Sequence, residues 1–314
     1  MCIVKINRMK IDEHMSVFDL VREMDASGVF CAGSLARAVD LFVEMVSNPD
    51  VKVFLGIAGA LVPAGLGGLF ADLIREGFVD VVVSTGANIT HDLIEAFGEH
   101  HQRGIEGEDS ELRNQGINRI YDAYVSDRAF MTFEEKIQQI FKDIDVEKRK
   151  RGITVSELMT EIGKRLKDEK SFVKVAAEKG VPIFCPAITD SILGLQAWLF
   201  SQLNPLKIDV LEDLHKIINL AYESERNGAI ILCGGVPKNH ILQTMLITGR
   251  GFDYAIQITL DRPESGGLSG APLSEARSWG KLKSDAKSVD VIADVTLAFP
   301  ILVAAAKEKL KDLK

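Results

Sequence analysis

The sequence predicts an α/β protein built on a doubly wound, mostly parallel sheet. Short β-branched runs recur at long intervals, each ending in glycine or a small polar residue. The runs are nearly continuous in hydrophobicity, as strands covered on both faces require. Helix-period segments fill the intervals, and strands alternating with helices specify a parallel sheet.

The first strand is expected at 51–56 (VKVFLG), followed by a helix at 66–76 and a second strand at 79–84 (VDVVVS). Residues 133–174 break the alternation, being highly charged, helical and poor in glycine. Within them Thr154-x-x-Glu157 is a capping box for a helix running through Arg165. The stretch reads as a helical excursion from the sheet, either a surface arm or a subunit contact. Its basic run Lys148-Arg149-Lys150-Arg151 is expected to be a solvated helix face. The alternation resumes with strands at 181–185, 229–234, 254–259 and 289–293. Helices are expected at 191–203, 210–225, 240–248 and 301–314. With no repeat and no low-complexity linker, residues 1–314 read as one domain. Its ligand site belongs at the carboxyl ends of the strands.

Composition narrows the function. The 314 residues carry 37 basic and 45 acidic side chains, a formal net charge of −8. That balance argues against a protein held to nucleic acid by phosphate contacts. Cys2, Cys31, Cys185 and Cys233 are scattered without a CxxC pair, the usage of reduced thiols in a cytoplasmic protein, and no metal site is expected. The most apolar stretch, 51–71, is interrupted by Pro63 and several glycines, so no membrane span is expected.

Small residues gather after the strands, as Gly56-Ile57-Ala58-Gly59-Ala60, Ser84-Thr85-Gly86-Ala87-Asn88 and Gly234-Gly235-Val236-Pro237. Such turns present amide N–H groups to an anionic ligand such as a dinucleotide pyrophosphate. They are equally ordinary strand-to-helix turns, and no GxGxxG is present. Lys281 follows Trp279 and a glycine-rich loop at 265–270. It is either a desolvated amine able to form a Schiff base or a surface lysine at a helix start. His240, placed at a helix start after a glycine turn, and His91 are candidate bases or ligands. His100-His101 reads as an exposed loop pair without metal-ligand spacing. Asp190 either binds a hydroxyl or amine or caps the helix that follows.

Taken together these segments resemble the deoxyhypusine synthases. The most specific is Ser274-Glu275-Ala276-Arg277-Ser278-Trp279-Gly280-Lys281, similar to the family's EAVSWGK signature. Leu112-Arg113-Asn114-Gln115-Gly116-Ile117-Asn118-Arg119-Ile120 is similar to LRxxGINRI. Pro186-Ala187-Ile188-Thr189-Asp190, Gly234-Gly235-Val236-Pro237-Lys238-Asn239-His240 and Ala293-Asp294-Val295 also fit in order.

The resemblance implies a Rossmann-like, homotetrameric transferase using NAD. In the family NAD oxidises spermidine, an aminobutyl group passes to the active-site lysine as an imine, and a lysine of a translation-factor precursor receives it. By position, the resemblance makes Lys281 the nucleophile and His240 the base. Gly235, Glu275, Trp279 and His91 would meet the substrate. Gly59, Ala60, Leu61, Val62, Pro63, Thr85, Gly86, Ala87, Asp190, Asp294 and Val295 would meet NAD. Thr90, His91, Leu195 and Leu268 stand where the family carries acids that hold the cationic nitrogens of spermidine. That departure keeps two alternatives open: transfer to a small amine, as in homospermidine synthase, or a non-catalytic regulatory subunit of an active synthase.

Overall fold

The computed structural model of the protein describes residues 4–105 and 107–312. Cys2 and the last two residues of the expected terminal helix lie outside them. The chain divides into two compact units, one formed by Met1–Gly56 with Ile218–Lys314 and the other by Ile57–Ile217. The first unit opens with two helices that were not among the sequence expectations. Helix α1 (Val17–Ser27) starts in a capping box between Ser16 and Asp19 and stops at Gly28, at φ 67°. Helix α2 (Phe30–Ser47) buries a broad face including Leu35, Val39, Phe42 and Met45 and leads into strand β1 (Val51–Ile57).

The second unit continues through α3 (Gly67–Arg75), β2 (Val81–Ser84) and α4 (Gly86–Ala96). A small antiparallel sheet follows, made from β3 (Gln102–Arg103), β4 (Ile117–Ile120) and β5 (Ala123–Ser126) in the order β3-β5-β4, with α5 (Asp109–Asn114) before β4. The LRNQGINRI segment is therefore a short helix and the first arm of a hairpin, which period-2 reading missed because its residues are mostly polar.

The charged stretch is helical, as α6 (Asp127–Asp143), α7 (Val146–Arg151), α8 (Val155–Gly163) and α9 (Phe172–Lys179). The capping box at Thr154 and Glu157 forms as expected, although α8 ends at Gly163 rather than Arg165. The stretch is no projecting arm, because Phe133, Ile137, Phe141, Leu158, Ile162 and Phe172 are buried. Nor is the basic run a uniformly solvated face. Lys148 and Lys150 do pair with Glu161 and Glu147, but Arg149 is buried. Its guanidinium donates to the carbonyls of Ile144 and Pro205 and lies 5.2 Å from the centroid of the Phe200 ring. Strand β6 (Ile183–Phe184) is only two residues long, and α10 (Ile192–Ser201) and α11 (Val210–Glu223) follow.

The chain then returns to the first unit with β7 (Arg226–Leu232), α12 (Gly235–Thr248), β8 (Phe252–Thr259), α13 (Leu273–Ser278), β9 (Leu282–Ile292) and α14 (Val295–Asp312). The main sheet has six strands in the order β6-β2-β1-β7-β8-β9. The β2–β6, β7–β8 and β8–β9 pairs are parallel, with Ile230 opposite Ile256 and Ile256 opposite Val289. These strands are apolar on both faces, the mark of a sheet covered by helices. Helices α2 and α14 pack on β8, and Phe54 meets Phe252 edge-on at 5.6 Å. Among the described residues no helix is long and apolar enough to cross a membrane.

Candidate active site

In the first unit, the candidates Glu275 and Trp279 meet Lys281 at one cleft. The residue sits between α13 and β9, with its amide donating to Ala276 and its carbonyl accepting from Phe252, both at 2.9 Å. Gly280, at φ 68°, makes the turn that a side-chain-bearing residue would resist. Lys281 Nζ lies 5.5 Å from the centroid of the Trp279 ring, within cation–π range, and 3.4 Å from Asn239 Oδ1. Trp279 is 62% exposed, so the indole forms an open wall rather than a closed box. Lys281, Trp279, Glu275, Lys238, Asn239 and Leu268 line a cleft of about 130 Å³.

Lys238, which its motif alone does not mark as a site residue, is the most buried cation of that cleft. Its ammonium donates to the carbonyls of Leu268 (2.8 Å) and Ala271 (2.5 Å), fastening the glycine-rich loop over α12. Burial pushes its pKa down to about 8, against the pull of Asp290 and Glu275. Asp290 in turn accepts the amide of Leu273 at the start of α13, and burial raises its carboxyl.

His240 does not open its helix as expected. Helix α12 begins at Gly235, so the imidazole lies in the second turn, buried and without a hydrogen-bond partner among the described residues. Burial alone lowers its pKa to about 4, which leaves it neutral at pH 7. The preceding turn carries three successive positive φ angles, at Cys233 (64°), Gly234 (154°) and Gly235 (59°). A Cβ on Gly234 would come within 2.5 Å of Ser269 Cα, so this close approach admits no larger residue. Gln257, which reasoning from sequence did not single out, donates to the Ser269 carbonyl (2.7 Å) while its buried Oε1 has no partner among the described residues. Asp294 accepts the amide of Thr296 at the start of α14, and Val295 is buried in its first turn.

In the second unit, the candidates of 59–63 and 85–87 are joined by Asn88. Its Nδ2 donates to the Gly59 carbonyl (2.8 Å) and Thr85 Oγ1 (3.0 Å), while its Oδ1 accepts the Val62 amide (3.0 Å). Thr85 caps α4, and Gly86 is packed so closely that a Cβ would meet Ser191 Oγ at 2.4 Å. Gly59 and Ala87 remain exposed. The result is two pinned strand-to-helix turns with a helix N-terminus between them, a backbone surface suited to an anion. Asp190 is exposed and does not cap α10, a role taken by Ser191, whose hydroxyl accepts the Gly194 amide.

The residues that replace family acids have separate fates. Thr90 is buried, donates to the Gly86 carbonyl and accepts the Leu193 amide, locking α4 to α10. Leu195 and Leu268 are 57% and 47% exposed. His91 is half-buried on α4, its pKa lowered to about 4 by burial and then by the charge of His101. The expected exposed pair His100-His101 is half corrected. His100 is exposed, but the His101 side chain is only 8% exposed and bonds to both Glu95 and His91. His91 and Glu95, one turn apart on α4, thus meet His101 through the turn that follows the helix. Among the described residues no cluster of metal-binding type occurs.

Comparison with known proteins gives a consistent result. A family model described as deoxyhypusine synthase matches residues 19–306. A protein of Methanosarcina acetivorans named "Probable deoxyhypusine synthase 1" is 50% identical over 302 residues, spanning 96% of this chain and 94% of its own. A "Probable deoxyhypusine synthase" of Methanothermobacter thermautotrophicus is 42% identical over 310 residues, spanning 99% and 100%. The crystal structure of an Entamoeba histolytica protein given the same family name superposes with a TM-score of 0.67 at 21% identity, covering 96% of both chains, a likeness of fold.

Proposed function

The chain belongs to the deoxyhypusine synthase family, and from that premise we propose an NAD-dependent aminobutyl transferase in which Lys281 carries the transferred group. Membership supports aminobutyl transfer to a lysine of a translation factor. On this reading a polyamine is the donor, the factor precursor the acceptor, and the enzyme a cytoplasmic homotetramer. The observation that carries the proposal is the Lys281 amine, held beside an indole face and an amide oxygen at the mouth of a cleft.

The residues present fit a dinucleotide. The turns at 59–63 and 85–87 are pinned to each other by Asn88 beside the N-terminus of α4, where a pyrophosphate is favoured. Within the second unit Gly59, Ala60, Leu61, Val62, Pro63, Thr85, Gly86, Ala87 and Asp190 would hold it. When bound, NAD supplies a two-electron hydride acceptor and, later, donor.

The chain's own groups do the rest. The lone pair of Lys281 Nζ attacks the carbon of the oxidised donor, a C–N bond forms, and the remainder of the donor leaves as an amine. Trp279 and Asn239 orient Nζ for that attack. His240 is neutral at pH 7 and so able to take a proton, and its buried position keeps competing water away. Lys238 holds the loop that carries Leu268 and Ala271 over the cleft. Gly235 and Glu275 border the amine path.

A second reading, transfer to a small amine, is favoured by Thr90, Leu195 and Leu268. Thr90 is engaged in helix contacts and the other two are uncharged, so none offers the anions a triamine needs. Incubation with NAD and spermidine, putrescine or agmatine, followed by borohydride, should leave a mass adduct on Lys281. Lys281→Ala should abolish it, and failure of all three amines to label the wild type would sink both readings.

A further inference from the structure

We propose that Asn239 is a catalytic residue whose Oδ1 accepts the N–H of the iminium formed on Lys281, and that Gln243 is the positioning residue that keeps this oxygen turned toward the lysine. The inference rests on the amine-transferase reading and concerns the step after attack, when Nζ carries the transferred carbon.

The three side chains stand in one row within the first unit. Lys281 Nζ donates to Asn239 Oδ1 at 3.4 Å, and Asn239 Nδ2 donates to Gln243 Oε1 at 3.1 Å. Asn239 and Gln243 are four residues apart on α12 and so share one face of the helix. Both are half-buried. Asn239 lines the cleft of about 130 Å³ with Lys281, Trp279 and Glu275, whereas its sequence neighbour His240 does not. Among the described residues, Asn239 Oδ1 is the one hydrogen-bond acceptor that Nζ meets.

The polarity of the row is fixed from the lysine end. An amine, an ammonium and a protonated imine all present N–H to a neighbour. Asn239 must therefore turn Oδ1 inward, which leaves Nδ2 facing Gln243, and Gln243 answers with Oε1. A carboxamide does not titrate, so this acceptor is present at every pH at which the protein is folded. A contact that served only to stiffen α12 would be indifferent to which end of the Asn239 amide met Lys281.

The step balances. The lone pair of neutral Nζ attacks the electrophilic carbon of the oxidised donor, and a C–N bond forms. Nζ then holds two N–H bonds and the positive charge. One of those protons passes to the donor nitrogen, the bond from that nitrogen to carbon breaks, and its electron pair leaves with the departing amine. Nζ keeps a C=N bond, one N–H and the charge. A hydrogen bond from a charged donor is stronger than one from a neutral amine. The contact to Oδ1 therefore tightens as the charge appears, which is the differential binding that accelerates a step. The Trp279 ring, 5.5 Å from Nζ, favours the same cation.

Imine formation between Lys281 and butanal, trapped with borohydride and located by peptide mass, isolates this step because it needs neither NAD nor an amine donor. Asn239→Leu should lower the rate of trapping about 10-fold with melting unchanged. Gln243→Met leaves Nδ2 without an acceptor and should lower it about threefold. Gln243→Glu keeps an oxygen there and should trap at least as fast as the wild type. Asn239→Asp sets a carboxylate against Nζ, holds it protonated and should move the pH of half-maximal trapping upward by about one unit. Loosened packing would not give that shift. Wild-type trapping by Asn239→Leu, or Gln243→Glu slowed as much as Gln243→Met, would overturn the inference and leave the transferase standing. The expected butanal results in a chain that forms no adduct with NAD and an amine would uphold the iminium role of Asn239 and overturn the transferase.

Discussion

At the scale of single residues, burial sets the chemistry of this protein more than charge pairing does. His240 shows it most simply. Its imidazole sits near pKa 4 because it is buried, against an ordinary value of 6.5. Between those two values the unfolded chain binds a proton that the folded chain refuses. Stability therefore rises with pH across that window and is lost on acidification through it. His240→Gln should remove a slope worth roughly 2–3 kcal/mol between pH 7 and 4, read as urea midpoints at the two pH values. His91, lowered likewise, preserves a remaining part of the slope. Lys238→Met tests a different residue-level claim. It strands the carbonyls of Leu268 and Ala271, and the expected loss is on the order of 2 kcal/mol. The amine adduct on Lys281 should form more slowly as the loop loosens. Lys281, Trp279 and Glu275 were legible because one motif gathers them in the chain, and His240 because it closes a second motif after a glycine turn. Lys238 stood in that second motif too, but its two carbonyl partners lie some thirty residues on, where no motif pointed.

At the scale of elements, one side chain decides whether two turns act together. Asn88 bonds to Gly59, Val62 and Thr85, so Asn88→Ala should cost about 2–3 kcal/mol in urea unfolding. NAD affinity by fluorescence titration should fall at least tenfold if those turns hold the dinucleotide. Gly86→Ala should be harsher than its single carbon suggests, because the new Cβ meets Ser191 Oγ at 2.4 Å. Strands β1, β7 and β8 were readable since fully buried strands are unbroken apolar runs. The hairpin of β4 and β5 was not, because its strands are four residues each and mostly half-buried, too short for a sustained apolar or alternating run. Helix α12 was read five residues short, its glycine turn and first turn sharing the same small residues. Arg149 was misread because a basic run gives no hint that one member turns inward onto Phe200.

At the scale of the whole molecule, the chain leaves its first unit after β1 and comes back only at Ile218. The second unit is continuous, whereas the first must join segments far apart in sequence. Contacts of long sequence separation form late because loop closure precedes their reward. Pulse-labelled hydrogen exchange during refolding should therefore protect α8 and α9 before β7, β8 and β9. Simultaneous protection of both sets would contradict this order. Alternation of strands and helices revealed the layered architecture, but not this interruption, since periodicity reports local structure and carries no record of which distant segments pack together. The pairing of α1 and α2 with α14 has a biosynthetic corollary. The Glu308 carboxylate accepts the Phe18 amide, and Lys309 reaches Asp40. On the ribosome, the two helices made early must wait through translation of an entire unit before their partner emerges, with Phe42 and its neighbours still uncovered. Chaperone capture of nascent chains should therefore be strongest in that interval and fade once α14 has been synthesised.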